Sequence, residues 1–209
     1  VYTQSLCEQL GDFGVEHLAD RLACLRAMLG DAISWIRVWE KVPYFFGKIR
    51  AGKDMTQYAI QAANGLHSIA IINNFDELND QFAYAPLVGK KIAIIPDAHF
   101  DHKTDRQAPT KIKQISGRGF VRVRDLYAPA IPNARLSMRL MIMSNDPPNM
   151  RDPSMALPKR FALFPFTSTF VDREDDGRKD KVMREGPGIG LISLVGFFEA
   201  WIRKPKPGI

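Results

Sequence analysis

The chain has 209 residues, 45% hydrophobic and 25% charged, with a net charge of +6. That composition excludes disordered and fibrous classes and suits one domain, two at most. No apolar run reaches the roughly 18 residues of a membrane span, and Val1-Tyr2-Thr3-Gln4 has no basic or apolar leader region. The first residue is not Met, so a piece of a longer protein is expected. Cys7 and Cys24 make no disulfide framework and read as buried free thiols of a reducing compartment.

In chain order, residues 1–41 read as helical. Leu18, Leu22, Leu25 and Leu29 recur at helical spacing, Gly30-Asp31 breaks the run, and Ile33, Ile36 and Trp39 continue a second apolar face. This stretch carries no catalytic signature and is expected to serve packing or assembly. Val42 to Phe46 reads as a strand ended by Gly47, residues 53–64 as a helix ended by Gly65, and Ser68 to Ile72 as a second strand. Phe75 to Tyr84 reads as a short helix. Lys91 to Ile95, stopped by Pro96-Asp97, is a continuous apolar run that suits a buried parallel strand.

A polar loop runs on to Pro109. Phe120 to Arg124 alternates apolar and basic residues after Gly117 and Gly119, as a hairpin strand with charges on one face does. Met138 to Met143 is an apolar strand closed by Ser144-Asn145, and Pro147-Pro148 forbids its continuation. Phe161 to Phe166 is the last strand. A charged loop at Asp172 to Asp180 leads to a helical pattern from about Lys181, interrupted at Gly186-Pro187-Gly188 and resumed from Ile189 to Ile202. Lys204-Pro205-Lys206-Pro207 is a terminus or linker. Strands alternating with helices predict an α/β fold, with a mainly parallel sheet flanked by helices and an inserted hairpin near residue 120.

The charge excess is local. Residues 101–144 hold nine Lys/Arg against three acids, which matches the whole net charge of +6. Such a cluster faces a polyanion or is simply a solvated face. Lys111, Lys113, Arg118, Arg122 and Arg124 belong to it. The arginines can pair with phosphates, while Phe120 or Tyr127 can stack on a base.

Gly47-Lys48-Ile49-Arg50-Ala51-Gly52-Lys53-Asp54 has the form G-x-x-x-x-G-K-D between a predicted strand and a predicted helix. That is the context of a phosphate-binding loop: glycines let backbone N–H groups face a phosphate, and the helix N-terminus adds a favourable field. Gly47, Arg50, Ala51, Gly52, Lys53 and Asp54 are the candidate nucleotide-binding residues, with Lys53 reaching the terminal phosphates. Asp54 stands where a hydroxyl usually holds Mg²⁺, and Thr56, two residues on, is a candidate substitute for that hydroxyl. A glycine-containing surface turn is the plain alternative.

Asp97, after its strand, can hold Mg²⁺ through water, as an acid does in nucleotide hydrolases, or simply start the loop that follows. The acid that usually follows is absent, since Ala98 and His99 come next. Asn145 can orient a water against a terminal phosphate, or cap a turn. Arg160 can stabilise transition-state charge on a neighbour's nucleotide, or form a surface salt bridge. Lys53, Asp97, Asn145 and Arg160 occur in the order a ring-forming nucleotide hydrolase uses. All lie at strand ends and are expected on one edge of the sheet, where ligands bind. Asp97, His99, Asp101, His102 and Asp105 also form a dense run of potential metal ligands, which opens a second reading as a metal-dependent nuclease.

The order and wording of these blocks resemble a superfamily 3 helicase, within it the helicase part of phage, plasmid and poxvirus-type primase-helicases. Phe75-Asp76-Glu77-Leu78 through Pro96-Asp97 resembles the block leading into the acidic strand. Ile115-Ser116-Gly117-Arg118-Gly119 through Tyr127 resembles the DNA-facing hairpin, and Leu140-Met141-Ile142-Met143-Ser144-Asn145 the Asn-ended strand. Asp152-Pro153-Ser154-Met155-Ala156-Leu157-Pro158-Lys159-Arg160-Phe161 resembles the arginine block, and Glu185-Gly186-Pro187-Gly188-Ile189 the closing helical segment. The likeness spans about residues 42–200.

The resemblance implies a P-loop, AAA+-like core at residues 42–170 between helical segments at 1–41 and 171–209. It further implies a homo-hexameric, ATP- and Mg²⁺-dependent motor on single-stranded DNA, with no membrane partner. The motor would serve viral or plasmid replication in the cytoplasm of a bacterial host or infected cell, with a primase domain upstream or in trans. Lys53 then binds phosphate, Asp97 with Asp54 places Mg²⁺, Asn145 senses the terminal phosphate and Arg160 acts on the neighbouring subunit's ATP. Leu126 stands where the hairpin's basic residue is usual. Asp54 keeps a third reading open, a ring that binds nucleotide or DNA without turnover.

Overall fold

The short apolar runs become strands in the computed structural model of the chain, which describes residues 15–99, 108–126, 128–148, 156–170 and 177–203. In chain order the elements are α1 (Val15–Ser34), β1 (Val42–Gly47), α2 (Lys53–Asn64), β2 (Ile69–Ile71), β3 (Ile92–Ile95), α3 (Ala108–Ser116), β4 (Phe120–Val123), β5 (Ile131–Arg135), β6 (Arg139–Ser144), β7 (Phe161–Phe166), α4 (Arg178–Arg184) and α5 (Gly186–Arg203). Five strands form one sheet in the order β2-β3-β6-β1-β7. Every pairing in it is parallel. β4 and β5 form a separate antiparallel hairpin.

Both faces of a parallel sheet are covered, so its strands are apolar on both sides. Ile92, Ile94, Met141, Met143, Phe164 and Phe166 turn to one face, where Leu25, Leu29, Ile60, Val182 and Ile189 of the helices α1, α2, α4 and α5 pack. Val42, Tyr44, Ala93, Ile95, Leu140 and Ile142 turn to the other, against Ile112 and Ile115 of α3 and Val121 and Val123 of the hairpin. Among the described residues no helix is long and apolar enough to cross a membrane.

Local expectations fail where tertiary contacts override them. Gly30 and Asp31 do not break α1 but lie inside it. Gly30 is where α5 comes close: a Cβ there would sit 2.0 Å from the Ser193 carbonyl oxygen. The helix stops at Ser34 instead, and Trp35 and Arg37 follow with φ of 63° and 53°. Ile36 and Trp39 therefore do not extend a helical face. Phe75 to Tyr84 forms a 3-10 turn at Asp76–Asn79, and a second 3-10 turn follows at Ala85–Leu87. The polar loop ends earlier than expected, because α3 already begins at Ala108. Gly186-Pro187-Gly188 opens α5 rather than interrupting it.

The amino edge of the sheet is held by buried charge. Arg139, which opens the central strand β6, is 2% exposed and pairs with Asp31 of α1, which is fully buried. Its Nη1 also donates to the carbonyls of Trp39 and Lys41 at 2.6 Å each. Asp31 Oδ1 accepts from the Val38 N–H at 2.5 Å. Burial pushes the Arg139 guanidinium down to about 10, so it stays charged at neutral pH. Arg37 is buried as well and donates to the carbonyls of Leu136, Ile115 and Ser116 at 2.7–2.9 Å. The segment after α1 is thus tied to the sheet, to α3 and to the residue after β5.

Removing one partner of a buried pair strands the other charge. Asp31→Ala is expected to cost about 3–5 kcal/mol, read as a lower denaturant midpoint at unchanged slope. Arg122→Ala, on the exposed face of β4, should stay within about 0.5 kcal/mol.

Candidate functional site

The turn from β1 into α2 needs backbone conformations that side chains disfavour. Gly52 caps α2 with φ 83°. A Cβ at Gly47 would lie 2.1 Å from the Phe166 carbonyl oxygen of β7. Arg50 between them also has positive φ, 59°. Ala51 is buried, Asp54 is exposed in the first turn of α2, and Met55 N–H closes on the Gly52 carbonyl at 3.0 Å.

Lys53 folds back into this loop. Its Nζ donates to the carbonyls of Gly47 at 2.6 Å and Lys48 at 3.0 Å, and to Asn145 Oδ1 at 3.1 Å. Burial lowers its pKa, while Asp54 and Asp97 act in the opposite sense. Lys53, Asn145, Asp97 and Asp54 therefore share one electrostatic neighbourhood, at the carboxyl edge of the sheet. Asp97 and Asn145 reach it because β3 and β6 are adjacent, with Ile95 beside Ile142. Ser144 donates to the Ala98 carbonyl at 2.7 Å, tying the two strand ends together.

Asp97 also meets His99, with Nε2 to Oδ2 at 3.2 Å. Both side chains are open to solvent, and two exposed carboxylates beside an ammonium suit a hard divalent cation and a phosphate. Thr56, which sequence offered as a substitute hydroxyl for the metal, is fully buried. Of the longer metal-ligand run, Asp101, His102 and Asp105 lie outside the described residues. Among those described, no group of three His, Cys, Asp or Glu could hold a metal.

Sequence reasoning passed over an aromatic flank of the loop. Phe170 N–H donates to the Arg50 carbonyl at 3.1 Å. The Phe170 ring lies 5.8 Å from the Arg178 guanidinium, and Lys179 stands 4.6 Å over the Tyr58 ring. Rings and planar cations of this kind are surfaces on which a base stacks. Phe170, Arg178 and Lys179 lie over 100 residues from the loop in sequence and follow no fixed spacing, so no motif announces them.

The hairpin presents two faces. Val121 and Val123 are buried, whereas Phe120 is 54% exposed and Arg122 is exposed beside it. Arg135 of β5 stacks over Phe120 at 4.4 Å, a partner that sequence reasoning did not single out. The remaining basic residues do not converge on this face. Lys111 stands over Tyr84, Arg124 donates to Gln81 at 2.9 Å, and Arg118 donates to the Arg37 carbonyl at 2.6 Å. Lys113 lends its carbonyl to Arg160, and Tyr127 lies outside the described residues. Arg139, counted in the same charge cluster, is buried at the amino edge. The cluster is thus partly consumed by the fold.

Arg160 corrects the expectation of a single edge. It precedes β7, and Phe161 is level with Val42, the first residue of β1, whereas Gly47 is level with Phe166. In a parallel sheet a residue before a strand and a residue after one lie at opposite edges, here about 17 Å apart along β7. Arg160 Nη1 donates to the Lys113 carbonyl at 2.9 Å and to Ser116 Oγ at 2.8 Å, and Nη2 lies 3.3 Å from Glu40. It pins the end of α3, and so the base of the hairpin, to the sheet. In a double-mutant cycle, Arg160→Ala and Ser116→Ala should couple by about 0.5–3 kcal/mol in unfolding free energy. A coupling near zero would remove the pinning role.

A family model described as a family of unknown function, DUF5906, matches residues 45–160. No curated protein matches the sequence. Among solved structures, an apo form of the NrS-1 C-terminal region has a TM-score of 0.71 at 14% identity, covering 93% of this chain and 45% of that one. Another apo structure of that region, residues 305–718, has a TM-score of 0.69 with the same identity and coverage. A crystal structure of JCV helicase with a substituted acetamide bound has a TM-score of 0.59 at 11% identity, covering 99% of this chain and 61% of that one. The chain spans less than two thirds of each neighbour, and at these identities the likeness is one of fold: an α/β domain with a parallel sheet flanked by helices. The family model runs from within β1 to the residue before β7, more than half of the chain, and the protein belongs to the DUF5906 family.

Proposed function

We propose that this chain is the nucleotide-hydrolysing core of a DNA helicase from a viral or plasmid replication protein, working as a six-membered ring on single-stranded DNA. The observation that carries the reading is the convergence of Lys53 with Asn145 on the glycine-turned loop, at a carboxyl sheet edge that Asp97 also lines. In this reading residues 42–170 are the motor core, and the helical segments 1–41 and 171–209 flank it. A primase activity lies elsewhere in a longer polypeptide or in trans.

ATP with Mg²⁺ would supply the transferable phosphoryl group, with part of its charge neutralised by the metal. Asp97 and Asp54 are the carboxylates that would hold the cation. The Lys53 ammonium exchanges its carbonyl contacts for phosphate oxygens, and burial makes that exchange stronger than it would be in water. Asn145 gives up its contact with Lys53 and orients a water. Arg160, at the opposite edge, serves a neighbouring copy's nucleotide, because it lies too far along β7 to reach its own loop. Phe120, Arg122 and Arg135 form the side of the hairpin that meets DNA.

One feature favours a second reading. Asp54 places an exposed negative charge directly after Lys53, where it opposes an incoming phosphate. A ring that binds nucleotide without turnover is the alternative.

Phosphate release from ATP separates the two. Wild type should release phosphate faster when single-stranded DNA is added, and Lys53→Ala should lose at least about a hundredfold in rate, the scale set by loss of a charged transition-state contact. Turnover that persists in Lys53→Ala would sink the loop assignment. Nucleotide binding without release in wild type would favour the alternative. On the hairpin, Arg122→Ala should reduce the slope of log affinity against log salt by about 0.7, one single-strand phosphate contact. An unchanged slope would take Arg122 out of the DNA contact.

A further inference from the structure

The backbone ladder between β3 and β6 stops just short of the site. Ile95 lies beside Ile142, and Pro96 then has no N–H to carry the pairing on. The two strand tips nevertheless stay joined. Ala98, fully buried one residue after Asp97, spends both of its backbone groups on β6. Its N–H donates to the Met143 carbonyl at 2.8 Å, and its carbonyl accepts from the Ser144 hydroxyl at 2.7 Å.

The same Ser144 oxygen accepts from the Asp146 N–H at 3.1 Å. The Tyr44 hydroxyl of β1 donates to the Asp146 carbonyl at 3.0 Å. Tyr44 is level with Ile142 on the neighbouring strand, which brings its ring under the turn that follows β6. Burial pushes its phenol up to about 12, so it stays a donor at neutral pH. Asn145 therefore stands between two anchored residues, and its own Oδ1 is left to Lys53. Ser144 is 1% exposed and Tyr44 fully buried. A hydroxyl is costly to bury unless it is hydrogen-bonded. Here both hydroxyls bond to backbone of the turns that carry Asp97 and Asn145. A bonded network of this kind selects one arrangement where apolar packing would allow several.

We propose that Ser144 and Tyr44 are positioning residues of the nucleotide site, whose hydroxyls hold the Asp97 turn and Asn145 in fixed register across the seam between β3 and β6. The proposal rests on the reading in which Asp97 holds the cation and Asn145 orients the water. Cation and water are then carried by different strands, and a displacement of about 1 Å between such groups costs on the order of a hundredfold in rate. Binding draws on the Gly47–Lys53 loop, which belongs to another turn, so the loss falls on turnover and spares affinity.

Steady-state phosphate release by the full chain, with ATP, Mg²⁺ and single-stranded DNA, tests this. Tyr44→Phe keeps the ring and removes one donor. Its kcat should fall about tenfold while the KM for ATP stays within about threefold of wild type, as when an interaction made only in the transition state is lost. Ser144→Ala, which also frees the Ala98 carbonyl, should lose up to about a hundredfold in kcat. The sharpest comparison is made in an Asn145→Ala background. There Tyr44→Phe should cost less than about twofold more, because the group it positions is gone. Losses that multiply independently in the double variant overturn the positioning role. So does a wild-type kcat in both Tyr44→Phe and Ser144→Ala. Should Ser144→Ala fail to fold, the pair of Tyr44→Phe and Asn145→Ala decides alone. A wild type that releases no phosphate overturns the hydrolase reading itself, and this proposal with it.

Discussion

The buried pair of Arg139 and Asp31 sets the frame for everything else. A guanidinium taken out of water is costly, and mutual attraction offsets that cost only when the remaining donors are also used. Here Nη1 meets that demand on backbone, where the carbonyls of Trp39 and Lys41 accept from it and Asp31 accepts from Val38, while Nε finds no hydrogen-bond partner among the described residues. The pair therefore does more than hold two side chains. It dictates the path of the segment between α1 and β1, which has to run along the amino end of the central strand. An apolar pair of similar volume would fill the same space but would leave that path undefined.

From this framed edge the parallel strands carry a polarity across the molecule. Their carboxyl ends gather the Gly47–Lys53 loop, Asp97 and Asn145. Their amino ends gather Arg139, Arg37, Arg160 and the root of the hairpin. Arg37 and Arg160 both bond to the last residues of α3, so the hairpin is fastened at its root to the edge opposite the loop. A shift of α3 relative to the sheet has to break several charge-assisted bonds together, which favours two discrete positions over gradual drift.

Much of this was legible in the residues. The apolar runs at Ile92–Ile95 and Phe161–Phe166 are strands at the expected places, and Lys53–Asn64 is a helix closed by Gly65. Those elements owe their character to local composition and to burial on both faces. The misreadings have a shared cause, which is that a distant partner decided the matter. Gly30 stays helical because α5 needs a surface without side chains there. β5 escaped notice because Ile131 to Arg135 is mostly exposed and shows no apolar alternation. Arg160 was assigned to the wrong edge because proximity to a strand in sequence does not say which end of it. Within the site, the loop and the two strand-end residues could be read from type and spacing. Phe170, Arg178 and Arg135 could not, since only tertiary structure brings them beside the loop and onto the hairpin face.

The two outer strands of the sheet have a consequence for self-association. β2 is three residues long, too short to template another strand. β7 is longer but contains Pro165, which is tolerated there because the hydrogen it lacks would point to the unpaired side. Neither border can extend its backbone ladder into a second molecule. A contact between copies at this five-stranded sheet would have to use side chains and helices, which leaves the sheet's own backbone ladder whole.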